Sequence, residues 1–358
     1  MADLVTVADP PPIMWYPAAR GRVAGAELIR FAGSQGLILE GRTGVARGTE
    51  MRQLGYSGPL LLESVPWKSA RESYQTGAIT LTGVDEFADA QQSIDVAQLV
   101  APGLVVTDDL RTFRNEIKAR VAWLEEQGAR LSWHRPTSLS ITIDHSLLIS
   151  SRLPQALRVL RDCGETVMMS FAKPGDPFDS VEAVSGLETV VDLLPYVAIV
   201  RTDLAAIAAI SLGARFAAVG IGTSTRHVAW ESAYAVLDDR SPSVLVAQLW
   251  SFKRGSVLRR WADTDEAVAF TCQLSCCGGQ ELGRLDAEHH TAEAQEHNRQ
   301  TLNEMVRQIV GSADRRAAFQ AMIALATFEY DNVNDVIPER VRLPGQLKAW
   351  SERFQHSW

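Results

Sequence analysis

Short runs of aliphatic and branched residues alternate with helix-like stretches over most of the first 220 residues, and this alternation constrains the fold most strongly. Apolar residues recur at helical spacing in Leu110–Leu131, Leu153–Cys163 and Asp203–Leu212. Strands that alternate with helices predict parallel βαβ units. Eight strand candidates predict a closed (β/α)8, TIM-like barrel, with a doubly wound open sheet as the alternative. The candidates are Leu37–Glu40, Leu60–Glu63, Ala78–Thr82 (which also suits a side hairpin), Leu104–Thr107, Leu139–Ile143, Thr166–Phe171, Val197–Val200 and Phe216–Gly220.

The cysteines are clustered late in the chain. Three of the four, Cys272, Cys276 and Cys277, fall within six residues, and a helix-like run that begins at His297 follows. Thiolates and an imidazole are typical ligands of tetrahedral zinc, and a loop together with a distant helix can close such a site. The alternative is three small buried side chains that happen to be neighbours. We expect the zinc site.

The strand–helix alternation ends after about residue 228. Tryptophans, paired basic residues and the cysteine loop follow, and then two helix patterns at Ala287–Val310 and Ala317–Phe328. We therefore predict three segments. They are a barrel body over residues 1–228, an inserted or C-terminal zinc-binding subdomain with a long helix over 229–312, and a C-terminal helix and tail over 313–358.

Composition excludes several classes of protein. The net charge is −8, so the chain has no strongly basic footprint, and any contact with nucleic acid would need a local patch. The sequence has no run of eighteen apolar residues, so we expect no membrane-spanning helix, and its start lacks the features of a signal peptide. Because the cysteines form no disulfide framework, we expect a cytoplasmic protein.

Acidic residues stand at the ends of several predicted strands. Glu63, Asp108 and Asp144 each close a strand, and Asp203 follows another. Because the active face of a parallel barrel lies at the carboxyl ends of its strands, these carboxylates would converge. Converging carboxylates suit acid–base or nucleophilic chemistry at a sugar carbon. The alternative is that they cap the helices that follow, which fits Asp109 and Asp203 well.

The run from His297-Asn298 to Met305 and Ile309 resembles the helix after the zinc loop of tRNA-guanine transglycosylases, in which a His-Asn pair precedes a Met and an Ile on the same face. The zinc loop of that family is C-x-C-x-x-C. Here Leu274 stands in the place of the second cysteine, and a neighbouring cysteine can supply the missing ligand. The resemblance therefore implies four zinc ligands: Cys272, Cys276, Cys277 and His297.

Two barrel segments are similar to the same family. The run Gly58-Pro-Leu-Leu-Leu-Glu63-Ser64 resembles G-P-[IL]-L-T-D-S, whose Asp is an active-site carboxylate, so Glu63 takes that place. The S-G-G-F-Q continuation of the family is absent. The segment from Ser93-Ile-Asp-Val to Val106-Thr-Asp108 resembles S-I-E-I…F-D-E, whose Asp recognises guanine, and Asp108 takes that place.

A third segment carries the family's nucleophile. Gly213-Ala-Arg-Phe216 through Thr225-Arg226 resembles G-[VI]-D-M-F-D-C-V-x-P-T-R, whose Asp after Phe attacks the ribose C1′, but Ala217 and Ala218 occupy that place here. Alanine cannot act as a nucleophile. Three acids remain as catalytic candidates: Glu63, Asp144 and Asp203. The candidate substrate-binding residues are Asp108, Ser64 and Arg226.

The resemblance implies a glycosyltransferase. A carboxylate would displace guanine from C1′ in tRNA or DNA, and a guanine or 7-deazaguanine base would then take its place. Zinc would be the cofactor, and the protein would form a homodimer or heterodimer. One alternative is a non-catalytic nucleic-acid-binding or dimer partner subunit, and the other is a barrel enzyme that acts on a small nucleoside. Four cations are candidates to hold phosphates, with a solvated rim as the alternative: Lys253, Arg254, Arg259 and Arg260.

Overall fold

The computed structural model describes residues 13–17, 25–33, 35–64, 84–106, 109–173, 175–220, 223–228 and 239–355. The chain divides into two compact units. Unit 1 comprises residues 1–177 and 186–231, and unit 2 comprises residues 178–185 and 232–358. The predicted boundaries at 228 and 312 stay predictions. Among the described residues, no helix is long and apolar enough to cross a membrane.

Unit 1 contains a nearly closed barrel of parallel strands. The order of its nine strands is β3-β2-β1-β9-β8-β7-β6-β4, with β5 also paired to β6, so that eight positions are filled around the barrel. The amide of Ala97, just before β4, donates to the carbonyl of Leu60 in β3 at 2.8 Å, which brings the two ends of this order together. The strands are β1 (Ile13–Tyr16), β2 (Leu37–Glu40), β3 (Leu60–Glu63), β4 (Leu99–Val100), β5 (Leu104–Val106), β6 (Thr137–Asp144), β7 (Thr166–Ala172), β8 (Val197–Thr202) and β9 (Phe216–Gly220).

Helices connect these strands, as the βαβ pattern predicts. Because helices cover such a sheet on the outside and side chains fill it on the inside, its strands are buried on both faces, and every residue of β7, β8 and β9 is buried. The helices are α1 (Gly25–Ala32), α2 (Gly41–Gln53), α3 (Val84–Ser93), α4 (Leu110–Arg130), α5 (His145–Leu148), α6 (Leu153–Arg161), α7 (Val181–Leu193), α8 (Ala205–Leu212) and α9 (Thr223–Arg226).

An apolar cluster, to which most strands contribute, fills part of the inside of the barrel. It includes Met14 of β1, Ile38 of β2, Met168 of β7 and Phe216 and Ala218 of β9, all of them buried. The predicted (β/α)8 barrel is thus confirmed.

Two barrel strands were absent from the sequence prediction. β1 follows a proline-rich start, and β4 has only two residues, too few to show any periodicity. The predicted strand Ala78–Thr82 lies outside the described residues. The other seven candidates coincide with or overlap β2, β3, β5, β6, β7, β8 and β9.

Unit 2 is built from an antiparallel hairpin and long helices. The hairpin pairs β10 (Ser243–Val246) with β11 (Ser251–Arg254). Aromatic side chains form much of its core: the ring centroid of Phe319 lies 5.2 Å from that of Trp350 and 6.0 Å from that of Trp250. The helices are α10 (Gly255–Thr264), α11 (Thr291–Gly311), α12 (Arg315–Val336) and α13 (Gly345–Gln355).

Candidate metal centre and barrel carboxylates

The three clustered cysteines and His297 come together in unit 2, and their ligand atoms all lie within 4.8 Å of one another. The Sγ atoms of Cys272 and Cys276 are 3.8 Å apart, and the Nδ1 atom of His297 lies 3.7 Å from Cys276 Sγ and 3.4 Å from Cys277 Sγ. A tetrahedral zinc with Zn–S of about 2.3 Å and Zn–N of about 2.0–2.1 Å gives edges of about 3.8 Å and about 3.6 Å. The Cys3His group could therefore hold a metal ion.

The cysteine loop is closed by its own backbone. The amide of Cys272 donates to the carbonyl of Gln280 at 3.1 Å, and the amide of Gly279 donates to the carbonyl of Cys272 at 2.8 Å. Gly278 and Gly279 have φ values of 58° and 86°, which glycine adopts without steric cost. This turn lets the adjacent Cys276 and Cys277 both approach the same imidazole nitrogen.

His297 presents one ring nitrogen to the sulfurs and the other to the hairpin. Its Nε2 atom lies 2.8 Å from the carbonyl oxygen of Leu245 in β10. Because a carbonyl only accepts, Nε2 carries the proton and Nδ1 offers its lone pair, the arrangement found around metal-bound histidines. Burial lowers the pKa of His297, which favours the neutral ring that a metal needs.

The surroundings of the thiols disfavour their thiolate forms. Burial and, next, the neighbouring Cys272 raise the pKa of both Cys276 and Cys277. A bound metal would oppose this by stabilising the thiolates. Arg284 adds positive charge at the same place, since its Nη2 donates to Cys277 Sγ at 3.5 Å and its Nη1 pairs with Glu293 at 2.5 Å.

In unit 1, the predicted catalytic residue Glu63 lies at the centre of a buried network. The Tyr16 hydroxyl donates to Oε2 at 2.9 Å, the Ser140 hydroxyl donates to Oε1 at 2.9 Å, and Arg201 Nε donates to Oε2 at 3.2 Å. Arg201 also forms an ion pair with Glu40. Five different barrel strands contribute these residues, so the network lies inside the barrel.

Arg201 enters this network from an unusual backbone conformation. Its φ is 53°, and it lies where the register between β8 and β9 shifts between Ile199 and Thr202. Its guanidinium also lies 4.6 Å from the ring centroid of Tyr16. Burial raises the pKa of Glu63 although Arg201 opposes that shift. Glu63 is thus an enclosed acid engaged by three donors.

Asp203 has a different environment. It follows β8, and its Oδ2 lies 3.2 Å from Nε2 of His227, while its Oδ1 accepts the amide of Ala205 at 3.3 Å. Burial alone would raise its pKa, but the charges of His227 and Arg226 outweigh burial and lower the pKa of Asp203 to about 2. Asp203 is therefore an ionised carboxylate that is still 18% exposed.

The predictions for the other acids have mixed outcomes. Asp144 caps α5 by accepting the Ser146 amide at 2.8 Å, which is the alternative role that the sequence left open, because the helix begins immediately after it. Asp109 caps α4 as expected by accepting the amides of Arg111 and Thr112. Asp108 lies outside the described residues.

The remaining substrate-binding candidates are engaged by the backbone. The Ser64 hydroxyl accepts the amide of Gly103 at 2.6 Å. Arg226 is buried, and its Nε donates to the carbonyl of Gly220 at 3.4 Å. Gly220 permits this approach, because a Cβ there would lie 2.2 Å from the carbonyl carbon of Thr225.

Local partners surround the four candidate phosphate-binding cations. Lys253 Nζ lies 4.8 Å from the ring centroid of Tyr330, and burial lowers the pKa of Lys253 to about 8. Arg254 donates to the carbonyl of Ser241 at 2.5 Å. The remaining pairs are Arg259 with Asp263 at 3.1 Å and Arg260 with Glu339 at 3.4 Å, both exposed.

Sequence reasoning missed His227, Arg201 and Tyr16. Arg201 directly follows a predicted strand, and this position could have identified it as a candidate. Tyr16 lay in an unrecognised strand. His227 directly follows Thr225-Arg226, so the end of the family-like motif was the signal that could have found it.

No family model and no curated protein matches this chain. Among solved structures, two chains of the tryptophan synthase complex of Pyrococcus furiosus are 15% and 16% identical; each match covers 59% of this chain and 87% of the other, with a TM-score of 0.35. The carboxyl transferase domain of Rhizobium etli pyruvate carboxylase is 12% identical over 98% of this chain and 61% of that one, with a TM-score of 0.40. We infer no activity from these similarities.

Proposed function

We propose that this protein is a transglycosylase-like glycosyltransferase that exchanges a guanine for a guanine or 7-deazaguanine base at a ribose C1′ in tRNA or DNA. The observation that carries the proposal is the convergence of Cys272, Cys276, Cys277 and His297 at spacings suited to tetrahedral zinc. These residues and the His-Asn helix are the part of the sequence that most resembles the transglycosylase family. The module follows a (β/α)8 barrel in the chain, the order that the resemblance implies.

Zinc bound by these four ligands would have no open position for water or substrate, so its contribution would be structural. The four ligands would tie the cysteine loop to α11. The chemistry belongs to the barrel.

Asp203 is the best candidate for the nucleophile. Ala217 and Ala218, at the family's nucleophile position, are completely buried, and Ala218 belongs to the apolar cluster. Glu63 is enclosed by its donors, and Asp144 caps a helix. Asp203 follows β8, the strand paired with β9, and its pKa of about 2 keeps it ionised at neutral pH.

In this mechanism the Asp203 carboxylate forms a bond to C1′ while the bond from C1′ to guanine breaks. The incoming base then displaces the carboxylate and restores it. Asp108, Ser64 and Arg226 are proposed to bind the base, and the cations of unit 2 are proposed to hold phosphates. The zinc module would support a homodimer or heterodimer, and the protein would act in the cytoplasm.

The test uses the full chain with tRNA or duplex DNA and labelled guanine or 7-deazaguanine. We expect incorporation of label and a covalent protein–nucleic acid adduct on denaturing gels, both lost in Asp203→Ala. A matched control is Asp162→Ala, an exposed acid of unit 1. The proposal fails if neither label nor adduct appears on any substrate.

A second candidate, a non-catalytic partner subunit, is favoured by the alanines at the nucleophile position. Binding of nucleic acid without incorporation or adduct would support it. Release of free base from a small nucleoside, without exchange, would instead support the nucleoside enzyme.

A further inference from the structure

One nitrogen of His227 has no hydrogen-bond partner among the described residues. Its Nε2 faces Asp203 at 3.2 Å, whereas its Nδ1 is enclosed and makes no hydrogen bond within the part of the chain that the structure describes. A buried polar atom left unpaired is unfavourable, and such atoms are uncommon unless a water, an ion or a ligand serves them. The imidazole is therefore satisfied at Nε2, and its Nδ1 has an unused hydrogen-bonding capacity.

The fold places this imidazole at the carboxyl end of β8. After β9 and α9 the chain turns back, and Val228 forms a parallel bridge with Ala172 at the end of β7. The amide of Lys173 donates to the carbonyl of Val228 at 3.2 Å, which fixes the backbone next to His227. The side chain thus lies over the strand end between β7 and β9, where a barrel enzyme holds its substrate.

The charges that face His227 favour a proton on it. Burial opposes the charged form, but Asp203 at the start of α8 and Asp176 in the segment after β7 act against burial, and Arg226 of α9 acts with it. The sum raises the pKa of His227 above its ordinary value, which favours the imidazolium form.

We propose that His227 is the proton carrier of the base exchange, donating from Nδ1 to the departing guanine and recovering a proton from the incoming base. This rests on the proposed function. In the first step, an Asp203 oxygen bonds to C1′, the C1′–N9 electron pair leaves with guanine, and the Nδ1 proton neutralises that base. In the second step, neutral His227 removes the N9 proton of the incoming base, N9 bonds to C1′, and the Asp203 carboxylate leaves.

The alternative is a purely positioning role, in which His227 only orients Asp203. His227→Gln separates the two roles, because a glutamine amide can still donate to Asp203 but cannot exchange a proton. The diagnostic substrate carries 7-methylguanine, a base that is already cationic in the nucleotide and departs without receiving a proton. The exposed His134→Gln serves as the matched control.

We expect His227→Gln to slow single-turnover adduct formation with guanine by about 10²–10⁴-fold and to flatten its pH profile, while the 7-methylguanine substrate keeps nearly the native rate. An equal loss on both substrates, or no loss on guanine, would overturn the inference while leaving base exchange intact. Absence of adduct in the unaltered protein on every substrate would instead overturn the proposed function, and this inference with it.

If His227→Gln does not fold, a measurement that does not depend on turnover still tests the inference. In ¹⁵N-histidine spectra of the full chain, Asp203→Asn should shift the titration of His227 to lower pH, and Nδ1 should carry a proton in the acidic form. His227 that stays neutral between pH 5 and pH 8 in the unaltered protein would rule out the carrier role.

Discussion

The guanidinium of Arg201 lies 3.2 Å from the carboxylate of Glu63, although 138 positions separate the two residues in the sequence. They belong to β8 and β3, which are separated in the sheet by β2, β1 and β9. The ion pair therefore crosses the inside of the barrel and joins strands that share no ladder hydrogen bonds. Both side chains are 1% exposed, so this tie is fully desolvated.

Removing one partner of this tie should be costly. We expect Glu63→Ala to lower the free energy of unfolding by about 3–5 kcal/mol, because Arg201 would keep its buried charge with one carboxylate fewer. Urea unfolding at pH 7 measures this. The exposed Glu126→Ala should change stability by less than about 0.5 kcal/mol. Equal stability of the two variants would show that the tie contributes nothing.

Metal content tests the ligand set one residue at a time. We expect about one zinc per chain in the unaltered protein, and loss of most of it in Cys276→Ala and His297→Ala, because three ligands cannot complete the tetrahedron. Cys163→Ala is the matched control, since that thiol lies in unit 1 and donates to the carbonyl of Val159. Elemental analysis of the purified proteins measures the zinc content per chain. A fully loaded Cys276→Ala variant would remove Cys276 from the ligand set.

Arg284 should strengthen metal binding without touching the ion. Three thiolates and a neutral imidazole around Zn²⁺ would leave a net negative charge, which the guanidinium beside Cys277 would offset. We expect Arg284→Gln to weaken zinc binding by about 10–100-fold in competition with a chelator. Arg299→Gln, which breaks a pair with Glu296 on the same helix as His297, should leave zinc affinity unchanged. An equal loss of zinc affinity in both variants would mean that any change to the charges around α11 weakens binding and that Arg284 has no specific role.

We expect the Asp203–His227 pair to make the free energy of unfolding depend on pH. The pKa of Asp203 is lowered to about 2, so its contribution is present above about pH 4 and is lost as the pH falls toward 2. The pKa of His227 is raised, so its contribution is complete below about pH 6.5 and declines as the pH rises through the folded value. Asp203→Asn should therefore cost most between these limits, about 2 kcal/mol.

Urea unfolding from pH 3 to pH 8 measures that difference for Asp203→Asn. A cost that keeps growing above pH 7 would contradict the pairing, because the imidazolium is then lost from the unaltered protein. Asp162→Asn, next to Arg161 on the surface, provides the baseline.

Nucleic-acid binding tests the exposed cations of unit 2. If Arg259 and Arg260 exchange their carboxylate partners for phosphates, the double alanine variant should lower the salt dependence of tRNA binding, the slope of log K against log salt, by about 1.4–1.8 units. Arg161→Ala, with an equally exposed ion pair in unit 1, should leave the slope unchanged. Identical slopes in all three proteins would mean that these arginines belong to a solvated rim.

Local patterns in the sequence were sufficient for most strands and for the four clustered donors. Strand periodicity needs only a few consecutive residues, and three cysteines within a span of six residues are necessarily close in space. They were insufficient for Asp144 and Asp203, which look alike as acids that end strands. The two acids differ in their contacts with side chains distant in sequence. Asp203 pairs with His227, whereas Asp144 accepts a hydrogen bond from the first turn of the next helix. The same limit hid the Glu63–Arg201 tie.

Asn298 covers part of the free edge of β10. Its Oδ1 accepts the amide of Leu245 at 2.6 Å, and its Nδ2 donates to the carbonyl of Ser243 at 2.7 Å, so one side chain mimics the rung of a third strand along β10. The preceding residue, His297, holds the same strand through its ring. An uncovered strand edge is a template on which other chains can pair and aggregate. If zinc joins the cysteine loop to α11, its removal would leave α11 packed on β10 without that support, and we expect any loss of this cover to appear as self-association of the protein.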